Sequence, residues 1–166
     1  VTREVLLQLI RGKGAHVDSV SCVSVPYAVA ATVPPGFPHS VAQVVEHCVF
    51  WIDYELRRIE GRPRPYPTHA SESWPQSPSP GSDAAWQEAL GRFREALDRM
   101  AALVREGPAT LARGIGSTDQ GDTAPDLPVE AVLWQLVVHT SYHVGQVAQI
   151  RRALGAWPPP EGGDTW

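Results

Sequence analysis

The segment "HTSYHVGQ", His139 to Gln146, sets two imidazoles four positions apart in a largely apolar stretch. On an α-helix that spacing turns a side chain by only about 40° and advances it about 6 Å, so two rings leaning the same way can converge on one ion. Helical phase puts Val132, Leu136, His139, His143, Ile150 and Leu154 on one stripe, which points both rings inward. A third histidine, His47, shares a face with Val44 and Trp51 and is expected to point to the interior as well. Three imidazoles buried without partners would strand polar nitrogens at about 1 to 3 kcal/mol each, whereas one divalent cation satisfies all three. His47, His139 and His143 are therefore the candidate metal ligands. Gln146, Glu46 and Tyr142 are the candidates to bond the remaining ring N–H groups.

Three neutral imidazoles leave the double positive charge of the ion on whatever occupies an open position. Water there falls to a pKa of about 7, and a thiol is held as thiolate. The chemistry expected is that of a metal-dependent enzyme activating a thiol or water, S-transferase-like or hydrolase-like. The alternative is a non-catalytic bundle, holding metal or a small ligand as a structural or sensor module, with Trp51, Trp74 and Trp86 around a pocket. No residue stands out as a separate catalytic acid or base. Glu46 adjoins His47, yet helix neighbours point about 100° apart, so its expected place is the solvated surface. His39, beside a helix cap, and His69, in a proline-rich stretch, are also read as surface. His16 is a remote fourth ligand for which a structural role is preferred.

The elements that must position these rings can be read from caps, stripes and breakers. A first helix from about Thr2 carries Val5, Leu6, Leu9 and Ile10, weakens at Gly12 and Gly14, and restarts near Ala15 to run through Cys22. "TVPPGFPHS" follows, and Ser40 with Gln43 three residues on forms a capping-box signature for a second helix ending near Ile59. The segment from Gly61 to Ser82, "GRPRPYPTHASESWPQSPSPGS", is too rich in proline for regular structure and is expected to be a crossover or lid pinned by Trp74. A third helix begun by Ser82 or Asp83 carries the seam Trp86, Leu90, Phe93, Leu97, Met100 and Val104, which is core. After a polar loop, Asp126 and Pro128 open a fourth helix that ends at Gly155. The tail, residues 156–166, is irregular, with Trp157 or Trp166 available to pack back.

Four helices without a convincing strand predict an all-α bundle. The chain has 166 residues, 43% of them hydrophobic, enough for a single domain to close its own core without a staple. A net charge of -4 argues against nucleic acid, which is held by a basic surplus. Cys22 and Cys48 sit in apolar runs and read as buried small hydrophobes of a reducing compartment. No apolar run reaches spanning length and no signal-peptide order is visible at the N-terminus, so a cytoplasmic protein without membrane partners is expected.

These residues resemble the DinB-like superfamily of bacterial four-helix bundles, which includes the YfiT-type metal-dependent proteins and the bacillithiol and mycothiol S-transferases. "PHSVAQVVEHCVFW" is similar to the family's second helix, with its metal histidine at His47. "HTSYHVGQVAQIRRALG" is similar to its last helix, with an HxxxHxGQ pattern at His139, His143, Gly145 and Gln146. The resemblance implies an up-up-down-down four-helix bundle with a long crossover between helices 2 and 3, covering the chain as one domain. It further implies a divalent ion such as zinc or nickel on the three histidines, coordination positions open to water, and a homodimer. The implied substrate is a small molecule, in characterised members a low-molecular-weight thiol. Fold likeness does not carry substrate identity.

Overall fold

Each long helix starts where the sequence offers a hydroxyl cap or a proline ahead of an apolar stripe. In the computed structural model, which describes residues 2–116 and 127–162, α1 spans Arg3–Ile10, α2 Ser19–Val23, α3 Tyr27–Ala30 and α4 Val41–Ile59. Beyond the crossover come α5 at Asp83–Glu106, α6 at Pro108–Ala112 and α7 at Val129–Ala153. The only strands among the described residues are β1, Gly114–Ile115, and β2, Leu127–Pro128, paired antiparallel as a short ribbon ahead of α7. The fold is all-α.

The capping box fixes α4. Ser40 Oγ accepts from the Gln43 backbone N–H at 3.2 Å, and Gln43 Oε1 accepts from the Ser40 N–H at 3.0 Å. Ser82 caps α5 through the Ala85 N–H at 3.1 Å, and all six residues of the predicted seam are buried. At the far end of α7 the chain turns at Gly155, φ 68°, as the sequence predicts. Asp126 and Trp166 lie outside the described residues.

Two expectations need correction. The predicted restart near Ala15 does not occur: Gly12 and Gly14 both adopt positive φ and reverse the chain, and α2 begins only at Ser19. Asp18 sets that start, accepting from the Val20 and Ser21 N–H groups at 3.0 Å each. The stretch after α5 also begins with a short helix, because Gly107, φ 112°, lets Pro108 open α6 at a position where a missing N–H costs nothing.

The core lies where α4 packs against α5 and α7. Trp86 is fully buried and donates its indole N–H to the Val25 carbonyl at 2.8 Å. The Arg151 guanidinium, also buried, donates to the carbonyls of Cys22, Ser21 and Ala156 at 2.7, 3.1 and 2.8 Å, tying α2 and the tail to α7. Trp157 packs on this end of the core beneath the Arg152 guanidinium, 4.7 Å from its ring centre. Cys22 and Cys48 are free and buried, and burial pushes both thiols up to about 12. Among the described residues no helix is long and apolar enough to cross a membrane.

The crossover from 61 to 82 is irregular apart from one 3-10 turn at Ala70–Ser73. It is nevertheless tied down. Gln43 Nε2 donates to the Pro75 carbonyl at 2.8 Å, Ser40 Oγ to the Pro78 carbonyl at 2.6 Å, and the Tyr27 and Ser79 hydroxyls meet at 2.9 Å. The residues that begin α4 thus also hold the crossover over it.

Candidate metal centre

His47 on α4 and His139 and His143 on α7 meet inside the fold, each with a ligating nitrogen within 4.8 Å of the others. Ring centres are 4.4 Å apart for His139 and His143, 4.7 Å for His47 and His143, and 5.2 Å for His47 and His139. His47 and His143 are 6% and 5% exposed, while His139 is half-buried at the edge of the group. The inward direction expected from helical phase therefore holds fully for two rings and in part for the third.

Hydrogen bonds fix which nitrogens face the centre. His47 Nδ1 lies 3.2 Å from the Ser73 carbonyl, which can only accept, so Nδ1 carries the proton and Nε2 keeps its lone pair. His143 Nδ1 stands in the same relation to Gln146 Oε1 at 2.7 Å. His143 Nε2, left as a lone pair, sits 3.1 Å from His139 Nε2. His139 Nδ1 is buried with no hydrogen-bond partner. In the contact between the two Nε2 atoms the His139 N–H donates to the His143 lone pair, which leaves His139 Nδ1 as a stranded buried acceptor. Clustered imidazole nitrogens short of partners are the condition a cation relieves, so the residues present fit a divalent metal.

Burial, aided by the neighbouring His143, pushes His47 and His139 down to about 4. Burial also lowers His143, against the opposing hydrogen bond to Gln146. All three rings are therefore neutral near pH 7, the form in which imidazole ligates.

Trp74 closes one side. Its indole is stacked between His39 and His47, with 3.8 Å between ring centres on each face. His39 is thus not the solvated residue expected from its sequence neighbours. It is half-buried against the crossover, with Nδ1 unpartnered and its pKa lowered by burial. His69 is exposed as expected. His16 reaches α7 but joins no ligand set: Nδ1 donates to the Val17 carbonyl at 2.7 Å, and Nε2 accepts from the Ser141 hydroxyl at 3.0 Å.

Of the three residues proposed to hold the outer ring nitrogens, only Gln146 does so. Glu46 pairs with Arg92. Tyr142 is 65% exposed and meets His143 edge-on at 5.1 Å. The partner of His47 is the Ser73 carbonyl, a main-chain group with no signature in residue type.

A cleft of about 400 Å³ opens on the group between α4, α7 and the crossover. His47 and His139 line it and His143 does not, so His143 is the rear member of the set. Trp51, Tyr66, Trp74 and Leu136 make its walls, with Glu55 along α4. Trp51 fulfils the expected pocket role. Trp86 does not, being sealed in the core. A wider groove of about 560 Å³ runs between α4 and α5 past Asp53, Arg57, Arg64 and Arg99, with none of the three histidines in its lining.

A family model described as the DinB superfamily matches residues 20–147, a span that contains all three histidines. No curated protein and no solved structure matches the chain.

Proposed function

Because the chain belongs to the DinB superfamily, we propose that it is a metal-dependent enzyme in which His47, His139 and His143 hold a divalent ion, zinc or nickel. The observation that carries this reading is the convergence of three neutral, buried imidazoles beside a cleft wide enough for a small molecule. A bound ion would supply an acidified water or thiol as nucleophile. The chain's own residues do the rest. Gln146 and the Ser73 carbonyl hold the His143 and His47 rings with Nε2 lone pairs toward the centre, and Trp74 shields the His47 side from water. The cleft admits substrate on the side shared by His47 and His139.

In this reading α1, α4, α5 and α7 are the four members of an up-up-down-down bundle, and the protein works in the cytoplasm as a homodimer on a low-molecular-weight thiol. The rival reading, a structural or sensor module, requires the ion to be fully enclosed by protein ligands. The cleft that reaches two of the three rings favours the enzyme.

The test is metal content after purification without a metal-affinity tag, followed by turnover. Stoichiometric zinc or nickel that disappears in His143→Ala is expected, together with metal-dependent adduct formation between a thiol and a haloaromatic acceptor. Stable, metal-free wild-type protein would reject the site. Metal-dependent ester or amide hydrolysis without thiol transfer would make the nucleophile water.

A further inference from the structure

The cleft beside the histidines has two chemically different ends. On α4, His47, Trp51 and Glu55 follow one another at four-residue steps, share one face, and all line the cleft. Eight residues of helix separate His47 from Glu55 by roughly 12 Å. Besides the histidines, Glu55 is the one ionisable acid or base among the described lining residues, Tyr66 apart, and no lysine or arginine belongs to the lining. Arg58 pairs with Glu55 through Nε at 2.9 Å, yet it is not part of the cleft wall. Burial raises the Glu55 pKa against the pull of Arg58, so the carboxylate is poorly solvated and a further cation beside it would stabilise its charged form. Between the two ends stand Trp51 and Tyr66, ring centres 5.6 Å apart, whose π faces attract cations.

With a divalent ion on the histidines, the cleft is positive at one end and negative at the other. The matching ligand is anionic where it meets the histidines and cationic where it meets Glu55. We propose that the substrate is an elongated aminothiol, with its sulfur at the His47–His139 end and its ammonium group held by the Glu55 carboxylate beside Trp51. The inference rests on the metal-and-thiol reading above and names the substrate class for that site. The recognition is non-covalent: Glu55 and Trp51 select and orient, and neither reacts.

The spacing makes the test a matter of length and charge. Cobalt-substituted protein is titrated with 8-amino-1-octanethiol, 8-hydroxy-1-octanethiol, 8-mercaptooctanoic acid and 2-aminoethanethiol, reading the cobalt–thiolate charge-transfer band. The long aminothiol is expected to bind about tenfold tighter than its hydroxyl analogue, the worth of a hydrogen bond to a charged group. The acid should bind weakest. Glu55→Gln should erase the preference for the amine and leave the hydroxyl compound within about twofold, while 2-aminoethanethiol, too short to span the cleft, is indifferent to the substitution. Equal binding of amine and alcohol by the wild-type protein, or a preference that survives Glu55→Gln, overturns the proposal.

A second measurement separates this proposal from the one beneath it. Metal-free protein is titrated with n-hexylammonium chloride, following tryptophan fluorescence in wild type, Glu55→Gln and Trp51→Leu. Saturable binding weakened by both substitutions upholds the ammonium subsite, even if no thiol ever produces the cobalt band. That pattern would instead defeat the thiol chemistry. Binding indifferent to both substitutions defeats the subsite alone.

Discussion

Trp74 lies on His47 with ring centres 3.8 Å apart and planes 11° from parallel, so a residue of the irregular crossover forms part of the wall around a helix-borne histidine. Replacing it should loosen both partners. Trp74→Ala is expected to destabilise the fold by roughly 1 to 3 kcal/mol, from a lost aromatic contact and partial burial. It should also open the 61–82 segment to protease. Limited proteolysis and thermal melting check this, and an unchanged cleavage pattern would show that the hydrogen bonds at Pro75 and Pro78 hold the crossover without the stack.

Gln146 fixes the His143 ring at 2.7 Å without facing the centre itself. Gln146→Ala should therefore keep one ion per chain but weaken it by about 10- to 100-fold. Competition with a chromophoric chelator measures this directly. His143→Ala in the same assay should fall below detection.

The lowered pKa values set a pH dependence for the metal-free protein. His47 and His139 titrate at about 4 in the folded chain, against an ordinary value of 6.5. Between those values the unfolded chain binds more protons than the folded one, so unfolding free energy rises with pH across that window. Stability is thus fully present above about 6.5 and is lost as pH falls toward 4. Melting temperatures of chelator-treated protein should follow this slope, and the double variant His47→Gln, His139→Gln should flatten it. A slope unaltered by the double variant would assign the acid sensitivity to other groups.

Trp86 tests the core apart from the site. Trp86→Phe removes the indole N–H and strands the buried Val25 carbonyl, at a cost of about 1 to 3 kcal/mol before any cavity is counted. Urea denaturation should show a lower midpoint, with metal stoichiometry unchanged. Loss of the metal as well would couple the α3 side of the fold to the histidines.

Gly12 has no room for a side chain. It has φ 79°, and a Cβ there would lie 2.2 Å from His16 Cε1, a ring already held by Val17 and Ser141. Gly12→Ala should cost more than about 1 kcal/mol in chemical denaturation. His16→Ala placed in the same chain should recover the steric part and leave the conformational part.

What the sequence disclosed follows from how local each cause is. The Ser40–Gln43 box and the Ser82 cap are interactions within four residues, and they place the starts of α4 and α5 without reference to the rest of the chain. Helical phase likewise put His47, His139 and His143 on inward faces. His39 was misplaced because its neighbours are a proline and a cap, while its actual partner, Trp74, comes from the crossover. The Ser73 carbonyl had no signal at all, since every residue carries one. Glu55 did have one: it continues the four-residue steps of His47 and Trp51, and only the absence of a known cleft kept it from standing out. The break ahead of α2 was hidden for a different reason, because the turns at Gly12 and Gly14 outweigh the apolar spacing that runs through them.

The three histidines ride on α4 and α7, whose backbones are locked into the core, whereas Tyr66, Ala70, Ser73 and Trp74 reach the cleft from the irregular crossover. Exchanges at Tyr66 or Ala70 can reshape the entrance without shifting a helix register. An architecture divided this way lets the walls of the cleft vary while the histidine cluster keeps its place.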